Sequence, residues 1–207
     1  MPKERFHLLA ADQSLQVLTS RGSLFPFSEG QKLAYFGGAI SPDSLFYDLP
    51  SFRLSWLGSA LHERGGKCRL DWLKSILQVQ SDYRAPEAAA WLLGAAGHLF
   101  VDAFWHPFIE KMSPPDSLGC RGFKPSESEC HHWLESELEG YWMARIGPSD
   151  GYLPIMKQFA GAGKTLKTCV SLLRATLTQM GFDELPSEEK IGRCFFWQAT
   201  LLRQFSS

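Results

Sequence analysis

The sequence predicts an all-α protein, and three observations carry that expectation. Apolar residues recur at three- and four-residue intervals in several separate segments, the signature of helices with one buried face. Alternating β-branched stretches, which would mark half-buried strands, are hard to find. The composition suits one packed core: 207 residues, 44% hydrophobic and 21% charged, which excludes a disordered chain or a fibre. One domain over 1–207 is expected, with a core at about 1–146 followed by C-terminal helices at about 152–207.

Each element has its own warrant. Leu8, Leu9, Leu15 and Leu18, with Val17 beside them, put an apolar face on a helix over 7–19. Residues 37–50 are dense in turn formers and are expected to form an extended loop. Trp72, Leu73, Ile76 and Leu77 make a helical stripe over 71–80. Pro86 suits the first position of the next helix, and Glu87 suits its positive end. That helix is expected to stop near 104 or 105, because Pro107 would disturb its last turn. Pro114, Pro115, Gly119 and Gly122 mark a loop. An acidic helix over 126–145 has Trp133, Leu134, Leu138 and Met143 as its apolar positions, and helical stretches over 153–180 and 187–205 complete the chain.

Charge and cysteine usage narrow the setting. Lysine plus arginine is 21 against 22 for aspartate plus glutamate, so no global field draws nucleic acid or anionic lipid. The longest uncharged apolar stretch, 88–101, is shorter than the ~20 residues a spanning helix needs and is expected to be a buried helix. The charged start at Met1 to Arg5 is not followed by a signal-peptide run, and the five cysteines include no CxxC pair. A cytoplasmic location with reduced thiols is the expectation. Oligomeric state is open.

Two motifs promise more than they hold. Gly161 to Thr165 (GAGKT) suggests a phosphate-binding loop, but the required upstream glycine is Gln158 and no strand precedes it. It reads as a glycine-weakened helical segment. The acidic cluster Glu127, Glu129, Glu135, Glu137 and Glu139 is expected to be mostly a solvated helix face, with Glu135 the exception.

The chemistry concentrates elsewhere. His98, Asp102 and His106 are spaced i, i+4, i+8, so a helix projects them in one stripe, among apolar neighbours that penalise an unsatisfied polar group. His131 and Glu135 form a second i, i+4 pair. His132 points about 100° away round the helix and has Ser136 four residues on, so it is expected at the surface or behind the ligands. Nitrogen and carboxylate donors in two helical clusters fit zinc, with other divalent metals possible. The competing reading is a buried polar network without metal.

The segment G-A-I-S-P-D-S-L-F-Y-D over 38–48 resembles the G-x-x-x-P-D loop of the zinc-dependent phospholipase C family. The segment over 94–106 is similar to that family's G-x-x-x-H-x-x-x-D-x-x-x-H helix, and His131 to Glu135 to its later H-x-x-x-E. His7 and His62 lie where early histidines of the family are expected. The likeness runs in order over 7–135, and it extends to single-strand nucleases and to the N-terminal domain of glycosylphosphatidylinositol-specific phospholipase D. It implies an all-α fold with two or three zinc ions. Asp43, His62, His98 and Asp102 would hold one, and His106, His131 and Glu135 another. His7 would contribute to a third, shared through Asp102. The third is open, because Met1 lies only six residues before His7. The implied activity is hydrolysis of a phosphodiester, with phospholipid as a candidate substrate and Asp43 also orienting the attacking water. A nuclease or phosphomonoesterase, with Trp56, Phe104, Trp105 or Trp133 as a stacking surface, and a non-catalytic metal-stabilised domain are the alternatives. Asp48 and Glu63 are candidate acceptors for the ring N–H groups of the ligand histidines.

Overall fold

The computed structural model describes residues 3–22, 27–62, 67–83, 85–113, 126–146, 158, 159, 161 and 163–204. Among these residues every regular element is helical, as expected. In chain order they are α1 (Lys3–Ser20), α2 (Glu29–Ser44) with a 3-10 turn at Leu45–Tyr47, α3 (Ser55–His62), α4 (Lys67–Asp82), α5 (Pro86–Met112), α6 (Glu127–Ile146), α7 (Gly163–Gln179) and α8 (Glu188–Gln204).

The centre of the fold is the packing of α2 against α5. A side-chain carbon on Gly38 would collide with the backbone carbonyl of Trp91, and one on Gly94 with the carbonyl of Tyr35. These two glycines let the helix backbones touch. Each costs about 1 kcal/mol of helix propensity, which the close packing offsets. Here the structure corrects the sequence reading. Residues 37–44, expected as loop, are the second half of α2 and are buried. The helix is nucleated upstream by a capping box: Gln31 N–H donates to Ser28 Oγ, and Ser28 N–H donates to the Gln31 side chain. Pro42 lies in the last turn, where its missing N–H removes a single backbone bond.

A second correction concerns the end of α5. The helix passes through Pro107 and ends at Met112. Ile109 is buried beyond the proline, and the Ser113 hydroxyl donates to the Ile109 carbonyl, so packing and a terminal hydrogen bond hold the extra turns. By length and composition α5 could cross a membrane, yet its His98 and Asp102 are buried in the protein. A smaller correction is that α1 starts at Lys3 and not at residue 7, so His7 lies inside the helix instead of at its start.

The C-terminal helices pack against α2. α7 buries Cys169, Val170, Leu172, Leu173 and Leu177 and packs against α2 and α4. α8 is tied on by polar contacts: the Ser44 hydroxyl donates to Gln198 Oε1 at 2.6 Å, and Lys190 Nζ lies 3.2 Å from Asp48 Oδ2. The GAGKT segment runs into the start of α7, with Lys164 exposed. Among the described residues Cys130, Cys169 and Cys194 are buried thiols, and burial pushes the Cys194 thiol up to about 12.

Candidate metal centre

Five helices contribute to one polar cluster inside this scaffold. α1 supplies His7, and the last turn of α2 supplies Asp43. His62 is the final residue of α3. α5 supplies His98, Asp102 and His106, and α6 supplies His131 and Glu135. All eight residues singled out from the sequence are therefore brought into neighbouring positions. His7, Asp43 and His98 form one group able to hold an ion, and His62, His98 and Asp102 form a second. His106, His131 and Glu135 form a third, and within each group the ligand atoms lie within 4.8 Å of one another.

Asp102 joins the groups. Its Oδ1 lies 3.3 Å from His7 Nε2 and 3.5 Å from His106 Nε2. Its Oδ2 lies 3.5 Å from His98 Nε2 and 3.6 Å from His62 Nε2. Such a carboxylate presents one oxygen to each side. On the first side, His62 Nε2 is 3.1 Å from both His98 Nε2 and Asp43 Oδ1. On the second, His131 Nε2 is 3.0 Å from Glu135 Oε1.

The ring orientations test whether a cation fits. His62 Nδ1 lies 2.7 Å from the Gly58 carbonyl, and His98 Nδ1 lies 2.8 Å from the Ala39 carbonyl. A carbonyl only accepts, so each Nδ1 must donate, and in the neutral form of the two rings each turns the lone pair of Nε2 toward the other. Two lone pairs then face each other beside two carboxylates. A proton could satisfy one such pair, whereas a divalent cation satisfies all four donors at once. The donor set of imidazole nitrogen and carboxylate oxygen is the one zinc takes.

The ion-free cluster is electrostatically strained. Burial, and then the charge of His98, lower the pKa of His7. Burial would also lower His98, but Asp102 and Asp43 overcome it and raise that ring. Burial pushes Asp102 up and is outweighed by His98, His106 and His7, which hold the carboxyl well below its usual range.

The hydrogen-bond acceptors behind the ligands were only partly foreseen. They are backbone carbonyls of Ala39 and Gly58, which sequence could not single out. Asp48 instead accepts from Ser51 Oγ, Arg53 N–H and Lys190, so it braces the turn after α2. Glu63 lies outside the described residues. His132 is exposed, with its Nδ1 3.4 Å from Glu135 Oε2, in keeping with a place behind the ligand.

Glu139 corrects the reading of the acidic helix. It is 3% exposed, not solvated. Burial pushes its carboxyl up to about 8, against the pull of Arg5, whose Nε lies 3.8 Å from Oε1. The signal was present: Glu139 is one turn beyond Glu135 and shares its face. Glu4 is also buried and accepts from Tyr47 Oη at 2.7 Å. A cavity opens beside the cluster, lined by Asp102, His106 and Glu135 together with Phe6, Trp105 and Trp142.

A sequence model of the family described as zinc dependent phospholipase C matches residues 6–180. The chain belongs to the zinc-dependent phospholipase C family. It is accordingly a metal-dependent hydrolase whose substrate is a phospholipid or a related phosphoester. No curated protein and no solved structure matches the chain.

Proposed function

We propose that the eight side chains hold two or three zinc ions and hydrolyse the head-group phosphodiester of a phospholipid. Asp43, His62, His98 and Asp102 take one ion, and His106, His131 and Glu135 take another. His7 and Asp102 Oδ1 are the donors for a third. The observation that supports this most is the meeting of His62 Nε2 and His98 Nε2 at 3.1 Å, with both rings' other nitrogens committed to carbonyls.

Zinc supplies Lewis acidity, which lowers the pKa of water and neutralises charge building on phosphoryl oxygens. The protein's own groups do the rest. Asp43 is fully buried at the end of α2, next to His62, and is the carboxylate placed to orient the attacking water and take its proton. The Ala39 and Gly58 carbonyls fix the ring planes of His98 and His62 and make them better donors. The aromatic lining of the cavity, from Phe6, Trp105 and Trp142, excludes water around the reacting phosphate.

The test is hydrolysis of dispersed phosphatidylcholine and of single-stranded DNA by zinc-reconstituted protein, each with and without a chelator. Chelator-sensitive release of phosphorylated head group, with no cleavage of DNA, is the expected result. Cleavage of DNA alone assigns the scaffold to a nuclease and overturns the proposal.

A further inference from the structure

On α5, the helix that carries three of the eight cluster residues, Phe100 and Phe104 are 69% and 73% exposed and Phe108 is 45% exposed. They follow one another at four-residue intervals and so form a single ridge on the helix surface. Across residues 88–109 the only charged side chain is Asp102, and it is buried in the ligand cluster. The ridge is therefore apolar for its whole length, and helices of globular proteins do not normally present such a ridge to water.

The ridge connects to the site. Phe104 and Phe108 pack edge-on against Trp105, with ring centroids 5.3 Å and 6.2 Å away. Trp105 in turn meets Phe6 at 5.6 Å and Trp142 at 6.3 Å, and these three rings line the cavity together with Asp102 and His106. A chain of ring contacts thus links the exposed ridge to the cavity that the ligand residues line.

We infer that the Phe100–Phe104–Phe108 ridge is the surface on which the protein rests against an uncharged phospholipid interface, with Trp105 guiding the apolar part of the lipid toward the centre. This rests on the reading of the centre as one that hydrolyses phospholipid. Charge argues for an uncharged lipid surface: the chain carries a formal charge of -1, and α5 has no lysine or arginine from Pro86 through Phe108 to meet anionic head groups, Lys111 coming only after the ridge ends. Area argues against a second protein. Three partly exposed phenylalanines offer about 400 Å², roughly half of the ~800 Å² per partner in a stable protein interface. Insertion of a few aromatic rings into an interface needs no such area.

The experiment compares wild type with the F100S/F104S double variant, both zinc-reconstituted and matched for metal content and circular dichroism. The probes are phosphatidylcholine vesicles, phosphatidylserine-containing vesicles and a soluble chromogenic phosphodiester. Wild type is expected to float with phosphatidylcholine vesicles at low and high salt, and F100S/F104S to partition about tenfold less or weaker still. The ratio of vesicle hydrolysis to soluble-ester hydrolysis should fall in parallel. Equal partition of the two proteins overturns the inference, as does binding that needs phosphatidylserine and vanishes with salt. A dimer in sedimentation that F100S/F104S dissolves makes the ridge an interface between copies and also overturns it. So does a F104C variant that a maleimide cannot label above the wild-type background, which would show the chain itself covering the ridge. Failure to hydrolyse either substrate would count against the assigned reaction, while vesicle flotation would still read the surface alone.

Discussion

His62 Nε2 and His98 Nε2 stand 3.1 Å apart, and neither can turn away, because Gly58 and Ala39 hold the opposite nitrogen of each ring. His62 ends the short helix α3 and His98 sits mid-way along α5, so the contact pins two helices at one point. Asp43 and Asp102 press negative oxygens on the same spot. A site with this arrangement is built around a positive charge.

Removing the bridge should cost more metal than removing an end. Asp102 offers one oxygen toward His7 and His106 and the other toward His62 and His98. D102N should lose more than one equivalent of zinc, whereas H131A should lose about one and keep the rest. Elemental analysis after dialysis against limiting zinc reads the difference. Equal losses would mean that Asp102 does not bridge.

Zinc should stabilise the fold, because the sites exist only once five helices have come together. Ligand at about 100 times its Kd adds ~2.7 kcal/mol, and each kcal/mol moves Tm by ~2–4 °C for a chain of this size. Chelation should therefore lower Tm by roughly 5–10 °C. An unchanged melting curve at a saturating chelator concentration would remove metal from the folding account.

The α2–α5 contact should be intolerant of a single methyl group. A Cβ at Gly94 would strike the Tyr35 carbonyl, and backbone cannot swing aside as a side chain can. G94A is expected to destabilise the protein by ~2 kcal/mol or more and to weaken zinc binding, since α2 carries Asp43 and α5 carries His98. By contrast, G97A meets nothing within 4 Å and should be neutral or slightly stabilising. Urea titrations of both variants give the comparison.

Glu139 makes stability depend on pH in the metal-free protein. Its carboxyl, raised to about 8 from the usual 4.5, must take up a proton on folding between those pH values. Its ionised form is penalised in the folded state, so its contribution worsens as pH rises through this window and levels off above about 8. E139Q removes the penalty. The advantage of E139Q over wild type should be small near pH 5 and should grow up to pH 8, as read by denaturant midpoints. A gap that shrinks with rising pH would contradict the buried-acid account.

Much of the centre was legible because helical spacing turns sequence intervals into directions. His98, Asp102 and His106, and likewise His131 and Glu135, could be placed on common faces without a structure. Glu139 follows from the same rule, but it was hidden among four other glutamates of which Glu129 closes the helix cap with Ser126. The end of α2 was not legible. Gly37, Gly38 and Pro42 disfavour helix locally, and the reason for helix there lies some 50 residues away, in Trp91 and Gly94. The same holds for Pro107: the turns beyond it are kept by burial of Ile109, which local propensity cannot report. The carbonyls of Ala39 and Gly58 left no trace in residue identity at all.

The most direct measurement is anomalous diffraction at the zinc edge from crystals of zinc-reconstituted protein, with H98A crystals alongside. One peak is expected among Asp43, His62, His98 and Asp102, and a separate one among His106, His131 and Glu135. The first should disappear in H98A while the second persists. Wild-type crystals grown with saturating zinc but showing no peak within reach of His62 and His98 would contradict the account.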